Sequence, residues 1–177
     1  MNQESLTSVL NGRLSKLTYA VAAGLLLVAC SQGSESANLE VRDGETVKKQ
    51  VEQASSHILK MMALNGQVTD TGALTIRCTD YDSGEEVYRA RHPWSVYQVP
   101  VPDMEKAMDR LRVELPEMGW KVVKDGVDDS PAKSPQIVAE SKGQEYAVDV
   151  RLLDERKYGD DPSLIEVTVQ SSCYRAK

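Results

Sequence analysis

Residues 136–153 have the sequence QIVAESKGQEYAVDVRLL, in which two apolar-rich runs flank Lys142-Gly143. A glycine-containing pair between two such runs is a tight-turn signal. The stretch therefore predicts a β-hairpin, with one strand over residues 136–141 and the other over residues 144–153. Neighbouring strands in this half of the chain are accordingly expected to pair in the antiparallel sense.

The sequence on either side of the hairpin predicts two more strands. One begins at Trp120 and turns at Asp125-Gly126, before an acidic, proline-containing loop over residues 128–135. The other covers residues 164–173, after a polar loop. Strands that follow one another through short turns are typical of an antiparallel sheet.

Earlier in the chain, residues 73–79 (ALTIRCT) alternate apolar and polar side chains and predict a strand. Residues 87–99 are expected to be extended but broken at His92-Pro93, because proline cannot donate to a central strand ladder. Residues 80–84 predict the turn between these two segments.

Two apolar stripes at helical spacing predict two helices. The first begins after Asp43, a suitable N-cap, and stops at Asn65-Gly66. The second is expected to be capped by Asp103 and closed by Pro116. The stripes consist of Val47, Val51, Ala54, Ile58 and Met61 in the first helix and Met104, Ala107, Met108, Leu111 and Leu115 in the second. Together the elements predict an α+β fold: a two-layer sandwich with one antiparallel sheet of about five to six strands and two helices on one face.

The N-terminal segment is basic and then apolar. Arg13 and Lys16 precede an uncharged run over residues 17–29, which ends in Leu27-Val28-Ala29 and is followed by Cys30. As a helix this run reaches only about 20 Å, less than the roughly 30 Å of a bilayer core, so a signal peptide is favoured over a spanning helix.

This segment resembles the signal of bacterial lipoproteins, whose cysteine receives a diacylglyceryl group and becomes the first residue of the mature chain. The resemblance implies that Cys30 is lipidated and that the protein is anchored at the extracytoplasmic face of the cell membrane. An ordinary signal peptide with an incidental cysteine, or an uncleaved anchor, is the alternative. The passage from the second helix into Gly119-Trp120 and the later hairpins resemble small uncharacterised lipoproteins of actinobacteria, a similarity that implies no activity.

The domain organisation follows from these assignments. Residues 1–29 are predicted to be the signal peptide, residues 30–43 a flexible tether and residues 44–177 a single α+β domain. The chain has 21 Lys and Arg against 27 Asp and Glu, and loss of the signal peptide makes it more acidic. An acidic domain is a poor partner for nucleic acid, so the membrane is expected to be contacted through the lipid on Cys30.

With Cys30 assigned to lipid, Cys78 and Cys173 remain as an even pair in an oxidising setting. A disulfide between them would close a loop of about 95 residues and contribute up to about 4–5 kcal/mol in the chain-entropy model. Two buried free thiols are the alternative. A disulfide is predicted, and it would tie the first strand of the domain to the last.

The sequence contains few residues in patterns that are typical of catalysis or metal binding. His57 is expected at the flank of the apolar stripe of the first helix or on its surface, and His92 is expected in a loop. Neither belongs to a recognisable nucleophile motif. Asp80, Asp82 and Glu86 come nearest to a calcium loop, but their spacing favours a solvated turn. No catalytic residue, bound metal or cofactor is therefore predicted, and the protein is expected not to be an enzyme.

One segment holds the candidate binding face, which consists of Tyr88, Arg89, Arg91, Trp94 and Tyr97. For its aromatic members, burial in the core is the favoured interpretation, since the chain has no Phe. The sequence thus predicts a non-catalytic binding or interaction module at the cell envelope, with an envelope protein or a wall polymer as partner. The alternatives are an envelope glycan hydrolase with paired carboxylates and a calcium-dependent binding domain.

Overall fold

The structure is a computed structural model, and it describes residues 38–177 except Ser83 and Gln144. The predicted signal peptide, Cys30 and most of the predicted tether lie outside the described residues. Within them the chain has an α+β fold with two helices and a mixed sheet of nine strands. The elements are β1 (Val41–Arg42), α1 (Gly44–Met62), β2 (Gln67–Asp70), β3 (Leu74–Arg77), β4 (Val87–Tyr97), α2 (Val101–Glu117), β5 (Trp120–Val127), β6 (Pro135–Ser141), β7 (Tyr146–Leu153), β8 (Leu164–Ser171) and β9 (Tyr174–Ala176).

The sheet has more strands than the sequence predicts, and it is not wholly antiparallel. Its order is β1-β9-β4-β8-β7-β6-β5, with β2 and β3 also paired to β4. The pair β1 and β9 is parallel, and β1 lies within the range predicted as a tether. Strands β1, β2 and β9 have only two to four residues, which is too little alternation for them to be predicted. Strand β3 lies within the alternating segment at residues 73–79, where a strand was predicted.

The hairpin predicted around Lys142-Gly143 is present. Gly143 adopts a φ of 87°, a left-handed conformation that glycine reaches without steric cost. Residues of β6 and β7 pair in the antiparallel sense, with Val138 opposite Asp149 and Gln136 opposite Arg151. By contrast, β5 runs straight through the turn predicted at Asp125-Gly126, and the chain reverses only in the loop over residues 128–134.

Strand β4 is continuous through His92-Pro93, where a break was predicted. On one edge it pairs with β8 through residues 91–97. On the other edge it pairs with β3 up to Arg91 and with β2 from Trp94 onward. Pro93 therefore lies opposite the gap between β2 and β3, which is where a residue without a backbone N–H is tolerated.

The two helices begin differently from each other. Asp43 caps α1 as predicted, since its Oδ1 accepts a hydrogen bond from the Thr46 N–H at 2.8 Å. Helix α2 instead begins at Val101 after Pro100, without a side-chain cap. Asp103 lies in the first turn, so the prediction that it caps the helix is wrong. Proline suits this end because its missing N–H would have had no helical partner.

A single hydrophobic core lies between the helices and the sheet. It contains the apolar stripes of both helices together with alternate side chains of β4, β6, β7 and β8. The remaining side chains of these strands point away from the helices. One face of the sheet is thus covered, and the other, called here the open face, carries polar and charged side chains.

Candidate binding surface

The five residues predicted to form a binding face do not share one face of β4. Trp94 is only 5% exposed and belongs to the core, and Tyr88 packs against the same core. The alternation of β4 places Arg89, Arg91 and Tyr97 on the opposite side. The candidate face is therefore wrong for Trp94 and Tyr88, because the period of a strand separates them from the arginines. The favoured interpretation, burial of the aromatic side chains in the core, is confirmed for Trp94.

Three adjoining depressions run across the open face. The first, about 240 Å³, has Arg89 at its end and shares Ala147 and Gln170 with the second. The second, about 230 Å³, shares Arg151 and Glu166 with the third, which is about 530 Å³. We call the three together the open-face groove, which follows β7 and β8 from the end near Arg89 to the loop over residues 128–134.

The centre of the groove holds an ordered ion pair. Arg151 Nη2 donates to Asp149 Oδ2 at 2.8 Å, and Gln136 Nε2 donates to Asp149 Oδ1 at 2.8 Å. Asp149 raises the pKa of the Arg151 guanidinium, chiefly through this hydrogen bond. The ion pair is held in one orientation, and its charges largely compensate each other.

Two further charges flank this ion pair. Glu166 lies opposite Arg151 in the β7–β8 register and attracts it electrostatically. Arg91 lies opposite Gln170, and its guanidinium forms no hydrogen bond or salt bridge with another residue between 38 and 177 that the structure describes. At about 3.3 Å per strand residue, the backbone of Glu166 lies roughly 13 Å along β8 from that of Gln170. The groove thus carries an available cation and an anion at separate positions along the strands.

Asp128 orders the loop at one end of the groove. Its Oδ1 accepts hydrogen bonds from the Ser130 hydroxyl at 2.6 Å, the Ser130 N–H at 3.1 Å and the Ser134 N–H at 3.0 Å. The Ser130 hydroxyl is the main cause of the lowered pKa of this carboxyl. The sequence predicted only a solvated acidic loop here, whereas Asp128 is buried and fixes the backbone.

The predicted cysteine pair lies near the other end. The sulfur atoms of Cys78 and Cys173 are 2.02 Å apart, at disulfide-bonding distance. Arg89 Nε donates to Cys78 Sγ at 3.2 Å, and Arg89 Nη2 donates to Cys173 Sγ at 3.0 Å. No pattern in the sequence indicates this role for Arg89, because it depends on β4 lying between segments that are far apart in the chain.

The two histidines differ from each other in their surroundings. His57 is exposed on α1, as predicted. His92, expected in a loop, is 3% exposed within β4, and its Nδ1 shares a hydrogen bond of 2.8 Å with the hydroxyl of Ser55. Ser55 is on the buried side of α1 and His92 is on the strand, so this pair satisfies two polar groups between the helix and the sheet.

The turn considered for calcium contains Asp80, whose carboxylate lies 3.8 Å from Arg89 Nη2. Among the described residues, which do not include Ser83 in this turn, no group of three His, Cys, Asp or Glu side chains is placed to hold a metal ion.

Within the described residues, neither α1 nor α2 combines the length and the apolar character of a membrane span.

Comparisons with protein-family models, with curated proteins and with solved structures give no match to this chain.

Proposed function

We propose that this protein is a lipid-anchored, extracytoplasmic binding module that contacts its partner through the open-face groove. The observation that carries the binding role is the groove itself, a polar strip across the face of the sheet that neither α1 nor α2 covers. The Leu27-Val28-Ala29-Cys30 sequence supports the anchor. The bonded Cys78 and Cys173 fit an oxidising compartment.

The charges of the groove indicate what kind of partner it suits. Arg91 is available to a carboxylate or phosphate, which a guanidinium binds with two parallel hydrogen bonds. Glu166, four residues further along β8 than the Gln170 that pairs with Arg91, offers an acceptor for a cation. The partner is therefore a segment of an envelope protein or a wall polymer that bears charges of both signs.

The protein acts without catalysis in this proposal. Every carboxyl whose pKa shift is resolved, namely Asp43, Asp128 and Asp154, has a lowered pKa. A general acid in a glycosidase requires a shift in the other direction. Turnover of a cell-wall glycan by the purified protein would contradict this part of the proposal.

Crosslinking in intact cells, followed by mass spectrometry, tests the proposal. Arg91→Glu reverses the available charge on the open face, and Lys49→Glu makes the same change of charge at an exposed position of α1. We expect the wild type and Lys49→Glu to capture the same partner, and Arg91→Glu to lose at least tenfold of it. Equal capture by all three proteins would rule out the open face as the binding surface.

A further inference from the structure

We propose that the Cys78–Cys173 disulfide is a site of thiol–disulfide exchange with a dithiol reductant, and that Arg89 promotes its reduction. This inference is independent of the binding function proposed above. Without such exchange, the Cys78–Cys173 bond would serve only as a covalent link between the segment after β3 and the segment before β9.

The position of Arg89 is the first observation. Its guanidinium donates one hydrogen bond to each sulfur, at 3.2 Å to Cys78 and at 3.0 Å to Cys173. The sulfur atoms of a disulfide are neutral, weak acceptors, whereas thiolates are charged and strong ones. A cation in contact with both sulfurs therefore stabilises the reduced, ionised form more than the oxidised form, and nearby arginine is a known cause of a low thiol pKa.

The neighbouring carboxylate does not cancel this effect. Asp80 lies 3.8 Å from Arg89 Nη2, but its side chain is 79% exposed. Ion pairs in contact with water are weak. The Arg89 side chain, by contrast, is only 23% exposed, so its interaction with the sulfurs is less screened than its interaction with Asp80.

The two sulfurs also differ in access, which indicates the order of the reaction. Cys78 is 2% exposed, whereas Cys173 is half-buried. A thiolate of the reductant attacks Cys173 Sγ, the S–S bond breaks, and its electron pair leaves on Cys78 Sγ beside Arg89 Nε. The second thiol of the reductant, once ionised, then displaces Cys173 from the mixed disulfide. Two electrons pass to the protein, the reductant leaves as a disulfide, and its two protons go to solvent or to the freed thiolates.

Redox titration of the full chain with dithiothreitol tests the proposal. Peptide mapping after alkylation follows Cys78 and Cys173 separately from Cys30. We expect Arg89→Gln to lower the equilibrium constant for reduction about tenfold, which corresponds to about 30 mV for this two-electron couple. Arg91→Gln removes the same charge from the same side of β4 without touching the sulfurs, and it is expected to change the constant less than twofold.

Two outcomes would overturn the proposal. One is an Arg89→Gln protein with an unchanged equilibrium constant, and the other is an equal shift in Arg91→Gln, which would reduce the effect to general charge. If Arg89→Gln does not fold, the reduced wild-type protein decides, through the pH dependence of the alkylation rates of Cys78 and Cys173. A guanidinium in contact with both sulfurs favours the thiolates, so we expect at least one of the two thiols to ionise below the usual pKa of about 8.5, and no lowered thiol pKa at either cysteine would refute the role of Arg89.

Discussion

Replacement of Trp94 by alanine is expected to destabilise the protein strongly. Trp94 is 5% exposed and belongs to the core cluster. Its backbone is paired on both sides, with Asp70 of β2 and with Val167 of β8. The sheet therefore cannot collapse into the cavity that loss of the indole leaves. Trp94→Ala should lower the free energy of unfolding by about 3–5 kcal/mol, the range measured for such truncations. That is a large share of the roughly 5–15 kcal/mol by which domains are stable.

Urea denaturation, followed by far-UV circular dichroism, measures this cost. Tyr97→Ala is the matched control, because Tyr97 lies in the same strand but points to the open face, and we expect it to lose less than about 1 kcal/mol. Trp94→Phe is a second control. The indole Nε1 has no hydrogen-bond partner among the described residues, so this change removes no hydrogen bond and should cost much less than alanine. A loss below about 1 kcal/mol in Trp94→Ala would refute the placement of this side chain in the core.

Three further predictions concern other parts of the chain. Gly66→Ala should destabilise the protein by about 1–3 kcal/mol in the same assay, because a Cβ there would lie 2.6 Å from the carbonyl oxygen of Tyr97. Gly126→Ala, with open space around it, should be neutral, and equal losses would contradict the close approach at Gly66. Asp154 accepts from Arg156 Nε and Nη2 at 2.7 and 2.6 Å, which lowers its pKa to about 2. This ion pair therefore stabilises the fold above the unfolded pKa of about 4 and is lost as the pH falls towards 2. Asp154→Asn should flatten the acid limb of thermal stability against pH, and an unchanged limb would argue against the pair. Finally, Cys30→Ala should release the protein from membranes or leave it as precursor, and unchanged, mature, membrane-bound protein would refute the lipid anchor.

Local patterns in the sequence were reliable where one segment specifies its own structure. The stripes of α1 and α2 and the hairpin at Lys142-Gly143 depend on residues close together in the chain, and the structure contains all of them. The central strand could not be predicted in the same way. Pro93 is acceptable only because β2 and β3 leave a gap opposite it. Strand β2 is too short to be seen in the sequence, and the alternation that predicts β3 does not show which part of β4 it pairs with.

The open face was missed for a related reason. A strand alternates its side chains, but the sequence does not say which side the helices will cover. Tyr88 and Trp94 were therefore grouped with Arg89, Arg91 and Tyr97, whereas the helices separate the two sets. The groove required the register of β4, β6, β7 and β8 together, which pairs residues as distant as Arg91 and Gln170. The contact of Arg89 with the disulfide depends on the same long-range pairing.

The placement of β9 also bears on how the molecule acquires its structure. This strand comes from the end of the chain, yet it lies between β1 and β4. Strand β4 likewise depends on a distant segment, because its residues 91–97 pair with residues 164–170 of β8. Contacts between such distant segments carry a large loop-closure cost and slow the search for the native state. The strands β5 to β8 follow one another in the chain and can pair early, whereas β4 can pair only after the C-terminal strands β8 and β9 have formed. We therefore expect folding in milliseconds to seconds rather than microseconds.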